Sequence, residues 1–177
     1  MIINNRVLIV NGMEYTVRSA TLKDAKELSQ IRLQIDGETE NMDREEGEGF
    51  LDAPRFEQII TTDTESPRNL FLVAEVDGRL VGFSRCEGTY LKRSAHKVEF
   101  GVCVWGYGIG KNLLAESITW ADTNGLKKIT LQVLETNVKA VRLYKKFGFE
   151  VEGILIKDKI LSDGKYYNTI VMGRVRV

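Results

Sequence analysis

The chain has one histidine, two cysteines and two prolines among its 177 residues. With His96 alone, a His-based catalytic triad has a single candidate. With no cluster of Cys or His, the sequence offers no ligand set for structural zinc, and no metal is expected. Cys86 and Cys103 lie in apolar stretches and belong to no Cys-x-x-Cys pair, so both read as buried free thiols. Neither sign of charge is in excess, with 25 basic and 25 acidic residues. A general nucleic-acid binder carries a basic surplus, so no nucleic-acid partner is expected. No apolar run approaches the ~20 residues that span a bilayer. The first ten residues, MIINNRVLIV, are too short and too interrupted by polar residues for a secretory signal. The expectation is a cytoplasmic protein with no membrane partner.

Other features are ordinary for a globular chain: 43% hydrophobic and 28% charged residues, with enough length for one domain over 1–177 and a sizeable core. Asn11-Gly12 between two apolar runs predicts an N-terminal hairpin over 1–18, because both turn positions need positive φ. Thr21, with Asp24 three residues on, starts a helix whose stripe is Ala25, Leu28, Ile31, Leu33 and Ile35. Residues 36–50 hold seven acidic side chains and one Arg and read as a loop or broken helix. They are either an electrostatic lure for a cationic amine or a solvated acidic surface. A short helix is expected over 54–61, and strands over 70–76 and 79–82 around Asp77-Gly78, the second extending as far as Tyr90. Further strands are expected over 95–104 and 128–134, helices over 108–124 and 137–147, and a C-terminal hairpin over 149–177 around Asp163-Gly164. The order is mixed α/β with mostly antiparallel connections.

The most informative stretch is 99–149. The apolar run 99–104, EFGVCV, leads into Gly106-Tyr107-Gly108-Ile109-Gly110-Lys111 and then a helix. Glycine admits φ > 0 and lets ligand oxygens approach the backbone, and a helix N-terminus favours an anion such as a pyrophosphate. The spacing is not that of a P-loop, since Asn112 follows Lys111, nor that of a dinucleotide fingerprint, whose third glycine comes one residue later. Alone, the triplet also fits a tight strand-to-helix turn. After the strand at 128–134 comes NVKAVRLYKKFGF (137–149), which puts Asn137, Ala140 and Tyr144 on one helix face. Singly, Asn137 also reads as an N-cap and Tyr144 as a packed aromatic.

Together these two segments resemble the GCN5-related N-acetyltransferase (GNAT) superfamily, most strongly over 70–175. The resemblance implies a central, mostly antiparallel, splayed sheet flanked by helices, with acetyl-CoA as co-substrate and 99–149 as the cofactor core. It further implies that the turn from Trp105 through Gly106, Tyr107, Gly108, Ile109 and Gly110 to Lys111 holds the pyrophosphate. Val102, Cys103 and Val104 would pair with the pantetheine arm, Asn137 and Ala140 would support it, and Lys146 would meet phosphate. Tyr144 would stand beside the sulfur as general acid. Two departures are visible. The first motif position, usually Arg or Gln, is Trp105, and Val104 meets Trp105 directly where several residues are usual. Either the loop is shortened or residues of a longer one are missing from the sequence.

Acetyl transfer needs a neutral amine. A lysine-like amine, pKa ~10.4, costs roughly 4.6 kcal/mol to neutralise at pH 7, whereas an α-amine near ~7.7 costs about 1 kcal/mol. Glu99 is the candidate base, directly or through water, or else a solvated edge carboxylate. The Val102 N–H is a candidate oxyanion donor, and Tyr144 at its ordinary pKa of ~10 would pass a proton to the thiolate at a cost of roughly 2 kcal/mol. The expected activity is direct acetyl transfer to a primary amine of a small molecule or of a protein or peptide. The alternatives are a non-catalytic acyl-CoA sensor and an interaction domain with a disabled cofactor site. Exposed β-edges allow a homodimer.

Overall fold

A computed structural model describes residues 1–106 and 108–176. Eight strands form one sheet: β1 Arg6–Val10, β2 Met13–Ser19, β3 Leu70–Val76, β4 Arg79–Gly88, β5 Lys97–Val104, β6 Lys128–Leu134, β7 Glu150–Ile160 and β8 Tyr166–Val175. Their spatial order is β1-β2-β3-β4-β5-β6-β8-β7. Every neighbouring pair is antiparallel except β5 and β6. Those two are joined by helix α3 (Ile109–Thr123), the long crossover that a parallel pair requires. The mixed, mostly antiparallel α/β architecture is the expected one.

Alternation along the strands sends side chains to two cores. Leu70, Leu72, Val98, Phe100 and Leu131 pack with Leu113, Leu114 and Ile118 of α3 and with Tyr144 of α4 (Val138–Lys146). Phe71, Val73 and Cys103 face the opposite way, against Leu28, Ile31 and Ile35 of α1 (Ala25–Glu38) and Phe56 and Ile60 of α2 (Ala53–Glu65). The central strands are thus covered on both faces.

Several boundaries follow local chemistry. The Asn11-Gly12 and Asp77-Gly78 turns both have positive φ at each position, as hairpins of this length require. Thr21 does not open α1 itself. Its N–H and hydroxyl donate to Asp24 Oδ2 at 2.7 and 3.0 Å, capping a single 3-10 turn (Leu22–Asp24) that precedes α1. Asp52 caps α2 by accepting from the Arg55 N–H, with Pro54 in the first turn. α1 stops at Glu38, and residues 39–52 continue without helix or strand.

Candidate active site

The defining geometry is a fork between β5 and β6. They pair only at Lys97–Lys128, Val98–Ile129 and Glu99–Thr130. Beyond that point β5 stays with β4 as far as Val104–Gly82, while β6 stays with β8 as far as Leu134–Thr169. The Trp105 N–H donates to Val81 O at 3.2 Å, continuing the β4 ladder. Alternation then turns the N–H and C=O groups of Phe100, Val102 and Val104 the other way, into the fork. Backbone groups that would otherwise be paired in a sheet are left for a ligand.

An open cleft of about 1470 Å³ runs through the fork from one face of the sheet to the other. On the α3/α4 side the expected cofactor residues come together. Gly106 and Gly108 have φ of +25° and +76°, and Gly108 is the N-cap of α3. The Ile109 side chain is fully buried and anchors the start of that helix. A Cβ on Gly110 would lie 3.3 Å from Val104 Cγ2, so glycine lets the helix start sit close to the end of β5. Lys111 and Lys146 are exposed at the cleft. Tyr107 lies outside the described residues. Asn137 is the N-cap of α4, its Oδ1 accepting from the Ala140 N–H at 3.3 Å. Ala140 and Tyr144 line the cleft on the same helix.

Two expected residues behave differently from their neighbours. Cys103 directs its main chain toward β4 and its thiol into the α1/α2 core, so only Val102 and Val104 of the expected trio present backbone to the fork. Its thiol is raised to about 12 by burial and then by the Asp36 charge, and that of Cys86 to about 12 by burial; neither is a thiolate at neutral pH. Tyr144 is 7% exposed and packs on Phe149 at 5.8 Å between ring centroids. Burial raises its phenol to about 12. Against a thiol of ~8.5, complete proton transfer is then uphill by about 5 kcal/mol rather than 2. The reason is the desolvation of a group that stands inside the core.

The opposite wall is built from charged side chains. Asp63 on α2, 1% exposed, accepts from Arg85 Nε and Nη2 at 2.6 and 3.0 Å and from Asn69 Nδ2 at 2.8 Å. Arg85 stands over the Phe71 ring. Its cross-strand partner is Gly101, which has no side chain to close off the cleft. Glu99 is exposed at the apex of the fork opposite Glu87. On α1, Arg32 and Asp36 are both buried, and Arg44 donates to Asp36 through Nε and Nη2, each at 3.1 Å.

Most acidic residues of 36–50 are engaged locally. Asp36 holds Arg44, Glu38 accepts from Trp105 Nε1 at 2.8 Å, and Glu40 accepts from the Ser162 N–H. Asp43 pairs with Lys159, and Glu48 accepts from the Glu45 N–H. Sequence reasoning missed Arg32, Arg44, Asp63, Arg85 and Gly101. One signal was available: Arg32 and Asp36 are four apart and adjoin Ile31 and Ile35, which places an ion pair on the buried stripe. Among the described residues no three His, Cys, Asp or Glu side chains form a metal-binding group, and no helix is long and apolar enough to cross a membrane.

Comparison with known proteins agrees with this geometry. The model of the acetyltransferase (GNAT) family matches residues 35–149. The chain belongs to the GNAT family. Over 111 residues it is 37% identical to L-amino acid N-acetyltransferase AaaT of Escherichia coli, a match covering 59% of this chain and 67% of that protein. Two other relatives are matched over less than half of their own length. The fold superposes on a GNAT-family acetyltransferase from Streptococcus pneumoniae with TM-score 0.87 and 27% identity, covering 92% of this chain and 99% of that one. It also superposes on a GNAT superfamily phosphinothricin acetyltransferase from Sinorhizobium meliloti in complex with AcCoA, with TM-score 0.78, 19% identity and coverage of 91% and 88%. The GNAT chain described here is an acetyl-CoA-dependent N-acetyltransferase acting on an amine acceptor.

Proposed function

We propose that this acetyltransferase transfers acetyl to the α-amine of a free L-amino acid, with the cofactor in the β5–β6 fork and the acceptor on the α1/α2 side. The observation that carries the reading is the early parting of β5 from β6, which opens one cleft to both faces of the sheet. Acetyl-CoA brings a thioester carbonyl for the amine to attack and a thiol as leaving group. The Gly110 N–H at the α3 start suits the pyrophosphate, between the Ile109 and Lys111 N–H groups that donate to Gly106 O and Gly108 O at 3.3 Å, with the Lys111 and Lys146 side chains alongside. The Val102 and Val104 main chain pairs with the pantetheine arm, beside Ala140 and the capped Asn137.

The Val102 N–H donates to the carbonyl oxygen as it gains charge. Tyr144 reaches the cleft from α4 and donates a hydrogen bond to the departing sulfur. With a phenol at about 12, it stabilises the thiolate without having to surrender its proton. Glu99 at the fork apex takes the proton that the ammonium must lose, through water. It is exposed and makes no side-chain hydrogen bond among the described residues, so the site gives an amine little help toward neutrality. An α-amine is easier to neutralise than a lysine side chain, which needs roughly 4.6 kcal/mol at pH 7, although in a free amino acid its own carboxylate holds it above the ~7.7 of a peptide N-terminus. The relative named as an L-amino acid N-acetyltransferase supports the same acceptor.

The test is acetyl transfer to a panel of the twenty L-amino acids, polyamines and lysine-bearing peptides, read by CoA release and mass of the product. Acetylation of one or more amino acids at the α-nitrogen, with polyamines and peptides at least tenfold slower, is expected. Preference for peptides or polyamines overturns the acceptor assignment. We propose also that two copies associate through β7, one of the sheet's two edge strands, where Ile154 and Ile156 are 53% and 70% exposed. A monomer in light scattering would exclude it.

A further inference from the structure

Arg32 is the residue on the acceptor wall whose charge is not balanced. Its side chain is 10% exposed, yet it lines the cleft. Nη1 donates to Gly49 O at 2.8 Å. Nε lies 4.0 Å from Asp36 Oδ2, beyond hydrogen-bond distance, and neither Nε nor Nη2 is hydrogen-bonded among the described residues. The Asp36 carboxylate is instead taken by Arg44 through two bonds of 3.1 Å. Two guanidinium groups therefore share one carboxylate, and the free N–H groups of Arg32 open onto the cleft.

Such a charge is costly unless an anion completes it. Burial first, and the Arg44 charge second, draw the Arg32 guanidinium below its ordinary value. None of the neighbouring acids hydrogen-bonds Arg32 among the described residues: Asp43 is paired with Lys159, while Glu38 and Glu48 accept from the neutral donors Trp105 Nε1–H and a backbone N–H. The planar fork of an arginine with free N–H groups matches a carboxylate in two-point geometry.

We infer that Arg32, backed by Arg44, binds the α-carboxylate of the acceptor and so selects amino acids over simple amines. The inference rests on the acceptor reading above and assigns the residue that enforces it. Arg32 sits on the Cys103 side of β5, and Glu99 at the fork apex is four residues, or about 13 Å, back along the strand, so the carboxylate is held at Arg32 and Glu99 meets the ammonium's proton only through water. Closing the anion site also brings the amine under the thioester in one orientation.

The probes are the accepted L-amino acids, each paired with the amine that lacks only the carboxylate, such as L-leucine with 3-methylbutylamine. The variant is Arg32→Gln, which leaves the Arg44–Asp36 pair in place and lowers the local charge excess. Arg32→Lys is its companion. Wild type is expected to prefer the amino acid at least 100-fold in kcat/KM. In Arg32→Gln that ratio falls at least tenfold through the KM of the amino acid, and in Arg32→Lys it falls less. The thermal shift on adding acetyl-CoA stays within 1 °C of wild type in both. If wild type acetylates amino acids and Arg32→Gln keeps the full preference, Arg32 is not the carboxylate site although the acceptor reading stands. If wild type acetylates amines but no amino acid, the acceptor reading fails and takes this inference with it.

Discussion

The two walls of the cleft are made differently. The α3/α4 wall presents mainly main chain to the cleft: the unpaired edge of β5, a glycine turn and the start of a helix. The α1/α2 wall presents side chains held in ion pairs: Asp63 with Arg85, and Asp36 with Arg44 and, at a distance, Arg32. The first design suits a cofactor that is the same for every family member, because backbone amides are available whatever the side chains. The second suits an acceptor that differs from member to member, because a single charge can be changed without moving the sheet. If this contrast is right, substitutions on the two walls fail in different ways.

The largest effect belongs to Asp63→Ala. Its carboxylate is buried and neutralises an arginine that is itself only about a quarter exposed. Removing it leaves Arg85 without its bidentate partner and Asn69 without an acceptor. Breaking a buried pair costs about 3–5 kcal/mol, and partial rehydration of Arg85 favours the low end. About 3 kcal/mol lowers Tm by roughly 6–12 °C at this chain length. Calorimetry should show that loss while the stabilisation added by saturating acetyl-CoA is retained. A loss below 2 °C would mean that the pair does not hold the acceptor wall.

The next tests the other wall. Tyr144→Phe removes a hydroxyl and leaves the packing on Phe149 intact. We expect kcat to fall about 10- to 100-fold, at or below the lower end of general-acid effects, because a phenol at about 12 contributes a hydrogen bond rather than a completed transfer. Acetyl-CoA affinity should stay within twofold. The pH profile follows with a definite sign. A raised phenol pKa keeps Tyr144 protonated through pH 10, so kcat/KM should climb tenfold per unit while the acceptor is still an ammonium and level off only above the acceptor's own pKa, which in a free amino acid lies above the ~7.7 of a peptide N-terminus. A falling limb between pH 8 and 10 that disappears in Tyr144→Phe would contradict the burial argument.

The same division explains what could be read in the sequence. Glycine spacing, helix caps and strand alternation are local, and they located β6 over 128–134, α3, α4, the Asn11-Gly12 turn and the hairpin of β7 and β8. They also marked Gly108 as a turn residue and Tyr144 as a residue of the α4 face. What escaped was tertiary. No local pattern tells that Arg85 would find Asp63, 22 residues away, or that Cys103 would turn its main chain to β4 while Val102 faces the fork. The acidic run 36–50 was open to two readings, a lure or a solvated surface, because composition counts carboxylates without showing that Asp36, Glu38, Glu40 and Asp43 each have a partner. The rise of Tyr144 to about 12 was likewise outside the reach of spacing, since it depends on how deeply α4 sits in the core.

The smallest expected effect lies where the walls touch. Trp105 follows β5 directly and leads into the glycine turn, while its ring packs against the α1/α2 core and its Nε1 donates to Glu38 Oε2 at the last residue of α1. The bond is exposed, so it is worth only about 0.5–1.5 kcal/mol. Beyond Glu38 the chain runs into the acceptor loop, where Arg44 closes on Asp36. Loosening Trp105 from Glu38 should therefore disturb the acceptor more than the cofactor. Trp105→Phe keeps the ring and removes the donor, and Glu38→Gln keeps an acceptor oxygen while removing the charge. The first should raise the acceptor KM about two- to fivefold and the second by less, with acetyl-CoA affinity changed under twofold in both. A double substitution no worse than Trp105→Phe alone would place the whole effect in that one bond. A larger loss in acetyl-CoA affinity than in acceptor KM would instead make Trp105 part of the cofactor wall, and the division between backbone and side-chain recognition would no longer run along β5.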